Sequence, residues 1–255
     1  MGGTLRVLEH NLLVYRRTWK GSIFASFVAP VLFLSAMGLG LGSLISRGPS
    51  RTVEGVSYLA FLAPGLLAAT AMQAAWGETT YPILSKILWN RTYEGMLATP
   101  IGVLDVLAGE FGWLALRLAL GSCAFFLVML LFGTVHSALA LLAIVVAVLT
   151  GLAFGMPILA FTASQRKDTG FPFIGRFVIT PLFLLGGVFF PIHQLPHLVQ
   201  GIAWVTPLAH GVALARGLSV GQALPSAGLH LAVLLAYTAL GIVVARVTLQ
   251  RRLVQ

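Results

Sequence analysis

Charge is what this sequence has least of. Only 9% of its 255 residues are charged, against about 25% in soluble domains. A chain that is also 58% hydrophobic cannot hide its apolar surface from water, so lipid has to solvate most of it. Acids are scarcer still: seven, against sixteen Lys and Arg, a formal charge of +9. In a soluble domain that excess would point to nucleic acid. Here the basic residues sit at the ends of apolar runs, where they set membrane topology, and a nucleic-acid partner is not expected. Cys123 is the single cysteine, which excludes an intrachain disulfide.

Lysine is rare too, and its neighbours matter. Lys20, Lys86 and Lys167 follow Trp, Ser and Arg. A phosphate-cradling Walker A loop needs glycine before its lysine, so the chain does not bind ATP in that way. No apolar run carries a central acid; Glu78, Glu110 and Arg117 fall near run ends, where snorkelling is cheap. A charge at mid-depth costs about 2.5–3.5 kcal/mol and needs a reason. Its absence argues against proton or sodium coupling and against intramembrane acid–base catalysis. His193 and His197 are four apart, but Pro196 lies between them and no acid is near, so no metal site is expected. His210 and His230 read as isolated. Arg6, Arg16, Arg17 and Lys20 precede a first apolar run that starts too late for a cleavable signal peptide. Arg6 also departs from the myristoylation pattern.

What is present is helical and apolar. Leu5, Leu8, Leu12, Tyr15 and Trp19 recur at steps of three and four across residues 4–20, with Arg16 and Arg17 beside them. That spacing predicts an amphipathic helix lying in the membrane interface. Six spans follow, at 22–45, 57–78, 108–132, 138–162, 172–190 and 226–246. Each is long enough to cover most or all of a hydrocarbon core of roughly 30 Å. The fold class expected is an all-α membrane protein.

The pairs Gly38/Gly42 and Gly151/Gly155 allow close helix packing. Thirteen of the Lys and Arg residues fall on one side of this topology. Arg47, Arg51 and Arg216 are the three on the other. The positive-inside rule places both termini in the cytoplasm.

Two connections exceed what a turn needs. Residues 79–107 form a cytoplasmic segment with an apolar face of Ile83, Leu84, Ile87 and Leu88. Residues 191–225 are apolar but broken by Pro191, Pro196, Pro207 and Pro225. They cannot span as one regular helix, and short helices dipping into the outer leaflet fit them, with their backbone buried against protein.

The cytoplasmic segment reads Arg91-Thr92-Tyr93-Glu94-Gly95-Met96-Leu97-Ala98-Thr99-Pro100, then Asp105 and Glu110. It resembles the loop of ABC-2 type permeases, where an acid, a leucine and a Thr-Pro pair mark a coupling helix that docks on an ATPase. Tyr93 to Arg117 most resembles the branch of nodulation-type lipo-oligosaccharide exporters, related to daunorubicin-type drug-efflux permeases. Phe189-Phe190-Pro191, Leu195-Pro196, Pro207-Leu208 and Arg216 are similar to that family's pattern before its last span. One departure is Thr92-Tyr93, where many members carry Gly-Thr.

The resemblance implies half a transporter of a bacterial cytoplasmic (inner) membrane. A second copy or close paralogue would pair with it, and two copies of a separate ABC ATPase would dock beneath. ATP and Mg would be bound by that partner and no cofactor by this chain. Glu94 would meet the ATPase electrostatically, with Met96 and Leu97 filling its groove. Phe24, Phe27, Phe61, Met72, Trp76, Phe183 and Phe189 are apolar candidates for a path at the dimer seam. Such a path suits an amphipathic or lipid-like cargo: a drug, a glycolipid or a lipo-oligosaccharide. A secondary carrier or channel working without an ATPase is the alternative, and a membrane enzyme or assembly factor a third class.

Overall fold

In the computed structural model, which describes residues 2–42, 52–222 and 226–254, the chain is helical almost throughout. Within those residues the extended structure is confined to an isolated bridge between Val53 and Val56. Helix α1 is Gly2–Ser35 and winds on through a π-helical stretch, Ala36–Leu41. Helix α2 is Tyr58–Thr79, and α3, Tyr81–Leu84, continues it as a second π-helical stretch, Ser85–Trp89. Next come α4, Thr92–Leu97, α5, Val103–Leu131, and α6, Leu142–Ser164. Then α7, Gly170–Ile174, a π-helical stretch Gly175–Ile179 and α8, Thr180–Leu185, form one short run. Helices α9, His197–Val205, and α10, Pro207–Val220, meet at 85°. Helix α11, Ala227–Leu253, closes the chain.

Residues 4–20 and the first span are one helix. Nothing at Gly21-Ser22 breaks it: a lone glycine costs about 1 kcal/mol in a helix but forces no turn. Its buried line also differs from the predicted stripe. Val7 and Asn11 are buried and Tyr15 packs edge-on against Trp113 at 5.5 Å, while Leu5, Leu12 and Trp19 face outward. Arg16 and Arg17 are exposed as well. The end of the predicted first span at 43–45, together with Arg47, Arg51 and Pro225, lies outside the described residues.

Helix α2 is the core. Ser57 caps it by accepting the Ala60 N–H at 3.3 Å, and its first fifteen residues are buried with few exceptions. Helix α6 packs on α2 and α5 through Gly151 and Gly155. A Cβ at Gly151 would strike Leu118, and one at Gly155 would strike Leu114. Both glycines therefore let three helices approach closely. On the opposite side Gly241 of α11 sits against Pro157 of α6.

Contacts sort the bundle into two ends. At one end Thr4 hydroxyl donates to Asp105, Lys86 meets Glu110, and Arg252 shares a cleft with Arg91. At the other, Glu54 faces His193, and its carbonyl accepts from Gln222, while the His136 N–H donates to Ser219. Helices α1, α2, α5, α6 and α11 each run between these ends, and all five contain stretches long and apolar enough to cross a membrane. The residues flanking the bent pair α9–α10, His193 and Gln222, both contact Glu54. Gly170–Leu185 is a shorter apolar run beside the five long helices: Phe171 packs on Trp76 near one end of α2, and Val188 meets Gly65 nearer the other. This run is shorter than the predicted span 172–190, because the chain turns at Gly186-Gly187, where Gly187 takes φ +79°. Helix α11 runs seven residues past its predicted end at 246, carrying Arg251 and Arg252 with it.

Candidate functional site

The segment that the sequence singles out is a short helix hung between two turns. Arg91 takes a left-handed conformation (φ 48°, ψ 33°), which turns the chain from the preceding π-helical stretch into α4. Beyond Leu97 the Thr99 N–H and hydroxyl both donate to the Met96 carbonyl, at 3.1 and 2.6 Å. Pro100, which has no N–H to offer, ends the turn. The Gly102 N–H then donates to Asp105 Oδ2 at 3.1 Å and starts α5. Glu94, Ala98, Thr99 and Pro100 face outward, Thr92, Met96 and Leu97 are half-buried, and Tyr93 is wholly buried. Arg91 and Glu94 approach to 3.9 Å, both exposed, so their attraction is largely screened.

Tyr93 is thus an anchor and has no surface to offer a partner, unlike the rest of its stretch. Beneath it lies a cluster that composition and spacing did not disclose. Lys86 Nζ donates to both Glu110 oxygens, at 2.7 and 2.9 Å, and to Asn11 Oδ1 at 2.9 Å. Asn11 Nδ2 donates to Glu110 Oε1 at 3.2 Å. Glu110 is 3% exposed and Lys86 17%. The ring joins α1, the stretch after α3 and α5, which are the segments around the coupling helix. Burial, reinforced by the Glu110 charge, raises the Tyr93 phenol well above its ordinary pKa. The group is a neutral donor at any physiological pH.

Further along, Arg117 Nη2 and Nε bind Glu78 Oε1 at 2.7 and 2.9 Å, and its guanidinium lies 4.6 Å from the Tyr15 ring centre. Glu78 and Glu110, expected to snorkel, are instead each neutralised inside the protein. The signal available was an acid among apolar residues, which calls for a named partner; Lys86 and Asn11 were the unrecognised ones.

The aromatic path candidates divide. Phe61 and Met72 are 0% exposed and do not line a surface of the single chain. Phe61 instead supports Arg216, whose guanidinium carbon lies 3.6 Å above its ring. Phe183 and Phe189 cluster with Phe33, with ring centres 5.2–6.4 Å apart. They line an apolar cleft of about 620 Å³ with Met37 and Tyr58. Trp76 borders a neighbouring cleft with Gln73 and Phe183, Phe27 is half-buried, and Phe24 points outward.

In the bent segment, Pro191 precedes a short 3₁₀ turn, Pro196 precedes α9 and Pro207 opens α10. Proline at a helix start loses no hydrogen bond. Arg216, counted among the basic residues of the outer side and part of the re-entrant pattern, is turned inward: it donates to the carbonyls of Phe61 (3.1 Å) and Gly187 (2.7 Å). It thereby ties α10 to α2 and to the turn after α8. His193 approaches Glu54 at 3.8 Å, and among the described residues no cluster could hold a metal. His210 and His230 are not isolated: their Nδ1 atoms lie 2.7 Å apart, and His210 Nε2 lies 2.8 Å from the Trp204 carbonyl.

Comparison with known proteins places this geometry. The ABC-2 type transporter family pattern matches residues 4–220. Nodulation protein J of Rhizobium leguminosarum bv. viciae is 36% identical over 98% of this chain and 95% of its own length. Nodulation protein J of Rhizobium meliloti (strain 1021) is 33% identical over 98% and 93%. The inner membrane transport permease YadH of Escherichia coli (strain K12) is 24% identical over 78% and 75%.

Proposed function

We propose, from the premise that the chain belongs to the ABC-2 type transporter family, that it is the membrane subunit of an ATP-driven exporter whose hydrolysis occurs on a separate ABC ATPase. The observation that carries this reading is α4: an exposed six-residue helix seated on a buried, ion-paired platform. It lies at the end of the bundle that also holds Arg252 and the start of α1. A rigid mount under an exposed helix is what force transmission requires. In this reading that end is cytoplasmic, both termini lie there, and the membrane is a bacterial inner membrane. Two copies, or one copy and a close paralogue, pair above two ATPase subunits. The apolar cleft at Phe33, Phe183 and Phe189 favours an amphipathic or lipid-like cargo moved outward.

The test is to look for a Walker-type ATPase in the neighbouring genes and to co-express the two chains. A stable complex with stimulated ATP hydrolysis is expected. Glu94→Lys, on the exposed face of α4, is expected to cut complex yield or stimulation several-fold. A complex equally abundant and active with Glu94→Lys removes α4 from the docking role. A wild-type chain that transports with no ATPase returns the protein to the secondary carriers.

A further inference from the structure

Gln73 is a polar side chain placed where lipid would leave it stranded. It stands midway along the Tyr58–Trp89 run, a stretch long and apolar enough to cross a membrane. It faces outward, while Ala71, Met72 and Ala75 around it are buried. Among the described residues nothing hydrogen-bonds its carboxamide. That group has two N–H donors and an acceptor oxygen. Hydrocarbon satisfies neither, so a polar side chain at membrane depth faces a cavity or another polar group.

Two clefts flank it. Gln73 lines one of about 380 Å³ with Ser26 of α1 and Thr70, and another of about 450 Å³ with Trp76 and Thr180. One turn further along α2, a Cβ on Gly77 would meet nothing within 4 Å. The Thr70 hydroxyl donates to the Leu67 carbonyl at 3.0 Å and the Thr180 hydroxyl to the Gly175 carbonyl at 2.9 Å. Their protons are thereby committed, and their oxygens remain as acceptors. Arg117 is the charged residue lining these clefts, and Glu78 neutralises it at 2.7 Å. The clefts thus offer hydrogen bonds without an uncompensated charge. Phe183 borders the second cleft and also the apolar one it shares with Phe33 and Phe189. Polar and apolar spaces therefore meet at one ring.

We propose that Gln73 selects the head of the cargo: the clefts beside it hold an uncharged group rich in hydroxyl or amide donors, while the Phe33–Phe183–Phe189 cleft takes the attached acyl chain. The inference rests on the exporter reading above and specifies the head that such a cargo carries. A flat helix face would suit a second copy of the chain; a recess on both sides of Gln73 suits a ligand. A site built around hydrogen bonds rejects a ligand that lacks them, because its own polar groups are then left unpaired.

The experiment titrates the full chain, purified in lauryldimethylamine oxide, with three lipids of matched acyl chains: glucosyl-diacylglycerol, phosphatidylglycerol and plain diacylglycerol. Bound lipid is counted by native mass spectrometry. Glucosyl-diacylglycerol is expected to bind tightest. Gln73→Leu is expected to weaken it about tenfold, the size of one or two net hydrogen bonds, with plain diacylglycerol unaffected and the melting temperature no lower. Gly77→Phe, which fills open space, should exclude the glucosylated lipid at an unaltered melting temperature. An undiminished preference in Gln73→Leu would overturn the proposal, and so would tightest binding of phosphatidylglycerol. Oxidative cross-linking of Gln73→Cys between copies, in a Cys123→Ser background, would also overturn it by putting a second copy's helix in the groove. Liposomes holding the ATPase and ATP separate the two readings. Lipid binding that depends on Gln73, without ATP-driven transfer, sinks the exporter and leaves the head-group site standing.

Discussion

Lys86 holds a carboxylate that cannot be left alone. Glu110 is 3% exposed with the Lys86 ammonium 2.7 Å away, and removing one partner of a buried pair strands the other. Lys86→Met is therefore expected to destabilise the protein by about 3–5 kcal/mol, read as a lowered melting temperature in detergent. Replacing Lys86 and Glu110 together with Met and Leu is expected to restore most of that loss. If the single and double variants melt alike, the pair carries no electrostatic weight. At this scale the sequence was only partly legible. Glu94, Thr99 and Pro100 were recognisable from their order, and they do face outward. Asn11 was hidden because a polar residue off the apolar stripe reads as solvated until its partners, 75 and 99 residues away, come into view. His210 and His230, 20 apart on different helices, were hidden for the same reason: spacing along one helix carries no trace of a contact between two.

Elements were more readable than contacts, because helix and apolar run follow local rules. Every predicted span has a helix in it. The misread boundaries came from competing cues: the change from basic to apolar residues after Lys20 divided a helix that the backbone continues, and Gly186-Gly187 ended a run that hydrophobicity alone would have extended to 190. The packing glycines were legible as a pattern, though which helices they admit was not. A Gly155→Leu side chain would have to enter the space held by Leu114 and Ala75. The substitution is expected to push α6 off α2 and α5 and cost about 1–3 kcal/mol or more, seen as lower yield and melting temperature. Gly121→Ala is the control, since nothing lies within 4 Å of a Cβ there, and it should behave as wild type.

For the whole molecule, composition and charge predict six spans; five of them hold helices long and apolar enough to cross a membrane, and the predicted fifth, at Gly170–Leu185, holds a shorter one. The orientation can be read chemically. Cys123 is the single cysteine, so Cys123→Ser gives a background for single-site labelling. On intact cells a membrane-impermeant maleimide is expected to label His193→Cys, whose imidazole is 69% exposed. It should reach Arg251→Cys only after permeabilisation. The opposite pattern would invert the protein in its membrane.

The shortness of Gly170–Leu185 bears on the lipid around it. Sixteen helical residues rise roughly 24 Å, and a hydrocarbon layer is about 30 Å thick. In the proposed topology such a run is met by local thinning of the leaflets, by snorkelling of its flanking residues or by oligomerisation. The run also forms one wall of the Phe183–Phe189 cleft, so in the proposed topology any thinning of the bilayer falls beside that cleft. Where the leaflet thins, an acyl chain leaving it at that flank starts from already distorted packing.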